Sequence, residues 1–152
     1  MLMTANSPAQ PAAEFNISAI PHGREGIARM ILTAFADAGF GGAQQIATLA
    51  NAIAESALNP NATSAPPDGG VGLFQLNRTG GLGRGHTVAE LQDPATNINL
   101  ILTEAKKFHA FGEAASLQDA VSTFVRMVVR PANPAEEAIR RLKIAEGLVR
   151  SS

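Results

Sequence analysis

Residues 43–60 contain the clearest structural signal in the chain and read AQQIATLANAIAESALNP. The apolar side chains recur every three or four positions, which is the spacing of one face of an α-helix, at Ile46, Leu49, Ala50, Ile53 and Ala57. The residue before a proline is disfavoured in the helical conformation, so Asn59-Pro60 should end the helix. We therefore predict a helix over residues 43–57.

Similar apolar spacing occurs on both sides of this segment. Before it, residues 27–38 show the pattern and end at glycines. After it, several sites have residues that typically open a helix: Thr87 with Glu90, Asp93-Pro94, Ser116 and Asn133-Pro134. Neither an internal repeat nor a convincing strand pattern is present. The sequence thus predicts an all-α fold, a single domain of about six helices around one core.

The start of the chain differs in composition from the rest. Residues 4–14 are rich in Ala, Pro, Ser and Asn, which is typical of a flexible terminus. An arm that docks on a partner protein is the alternative. We expect a flexible N-terminal arm over residues 1–20 and one domain over residues 21–152.

Composition and charge exclude several classes of function. The 152-residue chain has a net charge of -1 and contains no cysteine, tryptophan or tyrosine. Without cysteine, disulfides, thiol catalysis and cysteine-ligated zinc are excluded. The near-neutral charge predicts no nucleic-acid partner. Because His22, His86 and His109 lack the spacing of metal ligands, we expect neither a metal ion nor a cofactor.

The N-terminal sequence also carries information about localisation. Residues 1–6 have no basic flank and no sustained apolar run, so we predict no signal peptide and synthesis in the cytoplasm. No later segment is long and apolar enough to predict a membrane span.

Glu55, near the end of the predicted helix, is the first candidate for chemistry. On an ideal helix it lies opposite the apolar face, in line with Gln44, Thr48 and Asn51. A solvated polar face is one interpretation of this stripe. The other is a functional carboxyl, since the stripe lacks lysine and arginine and small alanines flank the glutamate. Partial burial would raise the pKa of Glu55, and a carboxyl that stays protonated can act as a general acid.

A long loop follows the helix, from Asn61 to Arg84, and includes residues 69–77, GGVGLFQLN. The glycines let the backbone pass close to another surface. Gln75 and Asn77 offer hydrogen-bond donors and acceptors, which suit sugar hydroxyls and N-acetyl groups. The alternative is a tight loop whose amides satisfy its own backbone groups.

The order of these elements resembles the lysozyme-like superfamily of murein-cleaving enzymes. The shared features are Glu55-Ser56, Asn59-Pro60 and a Gly-x-Gly-Leu-x-Gln segment that ends at Gln75. Within the superfamily, the chain is most similar to phage tail lysozymes and lytic transglycosylases. The later Arg130-Pro131 and Arg140-Arg141 pairs are also similar to tail lysozymes.

The resemblance implies that Glu55 is the catalytic acid, with Ser56 as a supporting hydroxyl. It places Gln75 in the substrate cleft, with Phe74 and Asn77 in the same cleft-lining segment. The implied activity is a phage or phage-derived peptidoglycan glycosidase that cleaves the β-1,4 bond between N-acetylmuramic acid and N-acetylglucosamine. The expected partners are glycan strands and phage tail or other virion proteins. Without a signal peptide, such an enzyme would reach the cell wall or periplasm through a holin pore or within a virion.

The second catalytic group is open. Glycosidases commonly use two carboxyls, and Asp68 in the long loop is the first candidate, although an Asp-Gly turn would also explain it. A transglycosylase needs no second carboxyl, because the 6-hydroxyl of the substrate attacks. Lytic transglycosylases carry a tyrosine beside the acid that this chain lacks, and Leu76 and Val129 stand where tail lysozymes often have Trp and Glu. A non-enzymatic tail or baseplate component of the same fold, which binds glycan or partner proteins, is therefore the alternative function.

Three basic side chains, Arg78, Arg84 and His86, cluster in sequence around the glycine loop. They are candidates for contacts with the lactyl or peptide carboxylates of peptidoglycan. Solvated loop charges are the alternative interpretation.

Overall fold

The structure is a computed structural model that describes residues 8–65 and 69–150. In these residues a 3-10 turn, Ile17–Ala19, precedes seven α-helices. The helices are α1 (Glu25–Asp37), α2 (Gly42–Ser56), α3 (Val88–Gln92), α4 (Pro94–Ala105), α5 (His109–Gly112), α6 (Leu117–Thr123) and α7 (Pro134–Val149). A π-helical segment, Phe124–Val129, continues α6. The prediction of an all-α fold is confirmed, with only the short α5 added to the predicted helices. None of the helices described is both long and apolar enough to cross a membrane.

Helix α2 is the centre of the domain. It packs against α1, α6 and α7, and every residue from Gln44 to Ala52 is buried. Small alanine side chains allow the neighbouring helices to approach α2 closely, as close packing of a protein interior requires. The remaining core consists of large apolar side chains from the surrounding elements, among them Phe35, Ile101, Phe111, Phe124 and Leu148.

The polar stripe of α2 is buried, so the interpretation as a solvated face is wrong. Gln44 is 5% exposed, and Thr48 and Asn51 are 0% exposed. Gln44 Nε2 donates hydrogen bonds to the carbonyls of Phe111 and Ala114, both at 3.0 Å. Gln44 therefore joins α2 to the segment around α5. Thr48 and Asn51 donate to the α2 carbonyls of Gln44 and Ala47, so each of the three buried polar side chains is hydrogen-bonded.

The predicted helix starts are largely confirmed. Thr87 and Glu90 form a capping box at the start of α3. Asp93 accepts a hydrogen bond from the backbone of Thr96 and precedes Pro94, the first residue of α4. Ser116 accepts in the same way at the start of α6. Pro134 opens α7, although Asn133 makes no side-chain capping bond.

The long loop contains a small hairpin that was not predicted. Strands β1 (Gly70–Val71) and β2 (Leu76–Asn77) pair antiparallel, with Gly70 opposite Asn77. Strands of two residues are too short to show the alternation of apolar and polar positions that identifies a strand in sequence.

Asn97 of α4 holds this hairpin against the helices. The Asn97 side chain is fully buried and accepts a hydrogen bond from the backbone N–H of Phe74 at 3.0 Å. Its amide nitrogen donates to the carbonyls of Val71, at 3.0 Å, and Leu91, at 2.9 Å. One buried side chain thus satisfies three backbone groups and fixes the turn of the hairpin relative to α3 and α4.

Gly72 fits into the remaining space beside Asn97. Gly72 has a φ of +82°, and a Cβ there would collide with the Asn97 amide and the Leu91 carbonyl. We expect Gly72→Ala to lower the free energy of unfolding by about 2–4 kcal/mol, since it combines backbone strain with overpacking. Urea denaturation measures this effect. Gly80→Ala is the matched control, because a Cβ at Gly80 has no heavy atom within 4 Å. A Gly72 variant as stable as the Gly80 variant would contradict the assignment.

Residues 8–20, part of the segment for which we predicted a flexible arm, lie against the helices. The backbone N–H of Gln10 donates to the carbonyl of Ala36 at 2.8 Å, and that of Asn16 to the carbonyl of Leu148 at 2.7 Å. Phe15 lies under the guanidinium of Arg29, 5.0 Å from the ring centre.

Candidate active site

Glu55 lies in the last turn of α2 and lines a cleft of about 360 Å³. The hairpin and the loop after it supply residues 74–77 and 80–82 to the walls. Helix α4 and the end of the π-helical segment complete the walls with Ile101, Glu104 and residues 128–130. The structure therefore brings four predicted site residues together in one cleft: Glu55, Phe74, Gln75 and Asn77.

A larger cavity, of about 450 Å³, lies elsewhere, between the end of α1 and the junction of α4 and α5. Its lining combines charges of both signs, such as Asp37 and Lys106, with the rings of Phe40 and Phe108. No predicted site residue lines this cavity, so the smaller cleft is the candidate active site.

The environment of Glu55 suits a carboxyl that gives up a proton. The side chain is 23% exposed, and its Oε2 accepts a hydrogen bond of 3.3 Å from Nη1 of Arg141. Burial raises the pKa of Glu55 above its ordinary value of 4.5, and the charge and hydrogen bond of Arg141 oppose this effect without cancelling it. A raised pKa extends the pH range in which the carboxyl remains protonated, which a general acid requires.

Arg141 of α7 is the centre of a buried polar network behind Glu55. The Arg141 side chain is only 4% exposed. Nη1 also donates to Oδ1 of Asn51 at 2.7 Å, and Nε donates to Oε1 of Glu137 at 3.0 Å. Arg140 lies 3.2 Å from the same Glu137 oxygen. Burial raises the pKa of Glu137, but the hydrogen bonds from Arg141 and Arg140 outweigh it and hold that pKa below the ordinary value.

The contact between Arg141 and Glu55 was missed in the sequence. In the sequence, the Arg140-Arg141 pair indicates only a similarity to tail lysozymes. A usable signal exists, because Arg141 shares one face of α7 with Ala145 and Leu148, and all three are buried. An arginine within a buried helical stripe requires an acidic or polar partner, since a buried charge is costly when it is unpaired.

Ser56 anchors the loop to α2. Its hydroxyl donates to the carbonyls of Leu73, at 2.8 Å, and Ala52, at 3.1 Å. Ser56 does not line the cleft, and its hydroxyl is engaged by these two backbone carbonyls. Phe74 is 2% exposed and packs against the ring of Phe124, with 6.4 Å between the ring centres.

The amides of Gln75 and Asn77 stabilise the loop itself, as the alternative interpretation of this segment proposed. Gln75 has a φ of +51°, and its Nε2 donates to the carbonyls of Ala62 and Gly72, both at 3.0 Å. Its Oε1 accepts from the hydroxyl of Ser64. Asn77 Oδ1 accepts from the backbone N–H of Thr79 at 2.8 Å. These bonds make the hairpin a fixed wall of the cleft.

The second carboxyl predicted for the site, Asp68, lies outside the described residues. Within residues 8–65 and 69–150, Glu104 is the carboxyl that lines the cleft in addition to Glu55. Glu104 is paired with Lys107 at 3.0 Å. In the same part of the chain, no three His, Cys, Asp or Glu side chains are grouped so that they could hold a metal ion.

The three basic residues near the glycine loop separate in the structure. Arg78 donates from Nε to the carbonyl of His86 at 2.8 Å, and Nδ1 of His86 lies 4.0 Å from Glu90. Of the three, only Arg84 lines the cleft, where it is joined by Arg130.

Glu55 is half-buried and faces a cleft lined by residues 74–77, which is the arrangement that the resemblance to the lysozyme-like superfamily implies. The family model of the phage tail lysozymes matches residues 26–150. The chain therefore belongs to the phage tail lysozyme family, which confirms the resemblance inferred from Glu55 and the glycine segment. A search of curated proteins found no match.

Proposed function

We propose that the protein is a peptidoglycan glycosidase that cleaves the β-1,4 bond between N-acetylmuramic acid and N-acetylglucosamine, with Glu55 as the general acid. The observation that carries the proposal is the position of Glu55, half-buried at the cleft, with burial raising the pKa of its carboxyl. Membership of the phage tail lysozyme family supports it.

In the proposed reaction, the Glu55 carboxyl donates its proton to the glycosidic oxygen as the bond to C1 of the muramic acid breaks. Positive charge develops at C1, and the N-acetylglucosamine leaves as an alcohol. The Glu55 carboxylate that remains is stabilised by Nη1 of Arg141 at 3.3 Å. Arg141 thus favours the donation of the proton, while burial raises the pKa of the carboxyl and so favours its protonated form beforehand.

Two nucleophiles can complete the reaction, and they give different products. Attack by water produces a reducing end, whereas attack by the 6-hydroxyl of the muramic acid produces a 1,6-anhydro end. The first outcome needs a base to activate water, for which Asp68 is the candidate, because Glu104 is already paired with Lys107. The second needs no further carboxyl, because the Glu55 carboxylate left by the first step can accept the proton of the 6-hydroxyl.

We further propose a phage origin for the protein and the bacterial cell wall as its place of action. A phage or phage-derived enzyme of this family would act on the glycan strands of the cell wall, with phage tail or other virion proteins as its partners. It would cleave these strands while the phage enters the host or is released from it.

The products released from purified sacculi test this function. Incubation with the protein is expected to release soluble muropeptides that end in muramic acid, in either the reducing or the anhydro form, and mass spectrometry identifies the ends. Release of fragments with N-acetylglucosamine at the reducing end would contradict the proposed bond. Cleavage of peptide bonds alone would also contradict it. Binding to sacculi without any release would favour the non-enzymatic tail component instead.

A further inference from the structure

Two arginines in the cleft have no acidic partner among the residues that the structure describes. Arg84, in the loop after the hairpin, and Arg130, at the end of the π-helical segment, both line the cleft that contains Glu55. Both are exposed. Among residues 8–65 and 69–150, no carboxylate lies within 4.0 Å of either guanidinium.

The two acidic residues that line this cleft in the described part of the chain are already paired with other cations. Glu55 is paired with Arg141, and Glu104 with Lys107. The charged side chains that shift the pKa of Glu55 are Arg141, Glu137 and Arg140, so neither cleft arginine is among them. Two cations are therefore available for a negative group on a bound ligand.

The backbone at Arg130 is held in an unusual conformation. Arg130 has φ +47° and ψ +61°, in the left-handed region that non-glycine residues seldom adopt. Its N–H donates to the carbonyl of Val125 at 2.8 Å, and Pro131 follows directly. A strained conformation fixed by its surroundings is often found where a side chain must point into a functional site. Glycine or asparagine would fit the backbone better, but neither would supply a cation.

We propose that Arg84 and Arg130 form an anion-binding site that recognises carboxylates on the substituents of the glycan, on the lactyl group or the stem peptide. The site would make the cleft prefer carboxylate-bearing strands to neutral ones of the same sugar. Planar guanidinium groups suit carboxylates, because they donate two parallel hydrogen bonds. This inference deepens the proposed function and rests on it for the position of the glycan in the cleft.

Binding to sacculi tests the proposal, with Glu55→Gln as the background so that the glycan stays intact. One preparation is stripped of wall teichoic acid but keeps its carboxylates. In a second, the carboxylates are coupled to methylamine and so neutralised. A third preparation retains its teichoic acid, which distinguishes phosphate from carboxylate as the anion. Co-sedimentation gives the Kd for each.

The test variant is the double substitution Arg84→Gln with Arg130→Asn, in which asparagine tolerates the left-handed backbone. Arg126→Gln is the control, because Arg126 lies in the same segment as Arg130, bonds to Ser122 and does not line the cleft. It removes a positive charge without removing the site. A variant with Arg130→Lys in place of Arg130→Asn should recover part of the binding. Thermal melting checks that each variant is folded.

We expect neutralised carboxylates to weaken binding by the background protein about tenfold, and the double substitution to weaken binding to native stripped sacculi by a similar factor. The double variant should bind both stripped preparations alike, whereas Arg126→Gln should still distinguish them. Equal binding of both stripped preparations by the background protein, or no binding at all, would overturn the proposal. A loss confined to sacculi with teichoic acid would also overturn it.

This experiment separates two kinds of failure. If the unmodified protein distinguishes the two stripped preparations but cleaves neither, the glycosidase proposal is wrong and the anion site remains. If it cleaves sacculi but binds native and neutralised sacculi with the same Kd, the proposed anion site is wrong and the glycosidase proposal remains.

Discussion

Glu55→Gln is expected to lower kcat/KM for the cleavage of purified sacculi by about 10²–10⁴-fold, the usual contribution of a general acid. The amide keeps the shape of the side chain and can still accept a hydrogen bond from Arg141. It carries no acidic proton for the glycosidic oxygen. Quantitative chromatography of released muropeptides measures the rate. The midpoint of thermal unfolding at pH 7 should stay within about 2 °C, since the packing is conserved.

Glu104→Gln is the matched control for this prediction. Glu104 lines the same cleft, but its partner is Lys107 and it belongs to a different helix. We expect a loss of less than about tenfold, because Glu104 is not assigned the proton transfer. If Glu104→Gln abolished cleavage while Glu55→Gln remained active, the general acid would have been assigned to the wrong helix.

Arg141→Met is expected to lower the free energy of unfolding by about 2–4 kcal/mol at pH 7. The substitution leaves Asn51, which is fully buried, without the donor to its Oδ1. It also removes the cation that is shared by the carboxylates of Glu55 and Glu137. Urea denaturation at a series of pH values measures the effect.

The stability deficit of Arg141→Met should shrink in acid. The folded-state pKa of Glu55 is raised, so the contribution of this group to stability is greatest below the ordinary value of 4.5 and falls as pH rises through the raised pKa. Without Arg141 the pKa rises further and that fall becomes larger. Glu137 has a lowered pKa, so its contribution is present above 4.5 and is lost as pH falls. Both groups therefore make the deficit larger at neutral pH than at about pH 4.

Arg141→Lys separates charge from geometry at this position. Lysine keeps the positive charge but lacks the fixed fork that reaches Asn51 and Glu137 together, so an intermediate stability is expected.

The pH above which cleavage declines should also be higher in Arg141→Met. The substitution removes the charge and the hydrogen bond that lower the pKa of Glu55. A Met variant as stable as the unmodified protein, or a deficit that does not change with pH, would exclude the network as a determinant of stability.

The parts of the fold that depend on neighbouring residues were predictable from the sequence. The apolar spacing gave α2 to within about one residue at each end. The capping residues Thr87, Asp93 and Ser116 marked the starts of three helices because a cap acts within one turn. The resemblance to the lysozyme-like superfamily predicted that Glu55 and residues 74–77 belong to one site, and Glu55, Phe74, Gln75 and Asn77 line the same cleft.

The parts that depend on distant contacts were not predictable. Arg141 is 86 positions from Glu55 and 90 from Asn51, and no local pattern specifies which side chain an inward-facing arginine will meet. Similarly, the sequence alone does not decide whether the side-chain amide of Gln75 faces a ligand or the loop. Its positive φ and the carbonyls of Ala62 and Gly72 place its amide within the loop. The two-stranded hairpin follows from the same loop packing rather than from strand propensity.

The most direct test of Glu55 as the general acid compares two leaving groups. On muropeptide glycosides, the unmodified protein and Glu55→Gln are assayed with the natural sugar as leaving group and with a dinitrophenyl group, which departs without protonation. We expect Glu55→Gln to lose about 10²–10⁴-fold in kcat/KM on the natural bond and less than about tenfold on the dinitrophenyl glycoside. An equal loss on both substrates would contradict it, because Glu55 would then position the substrate rather than donate the proton.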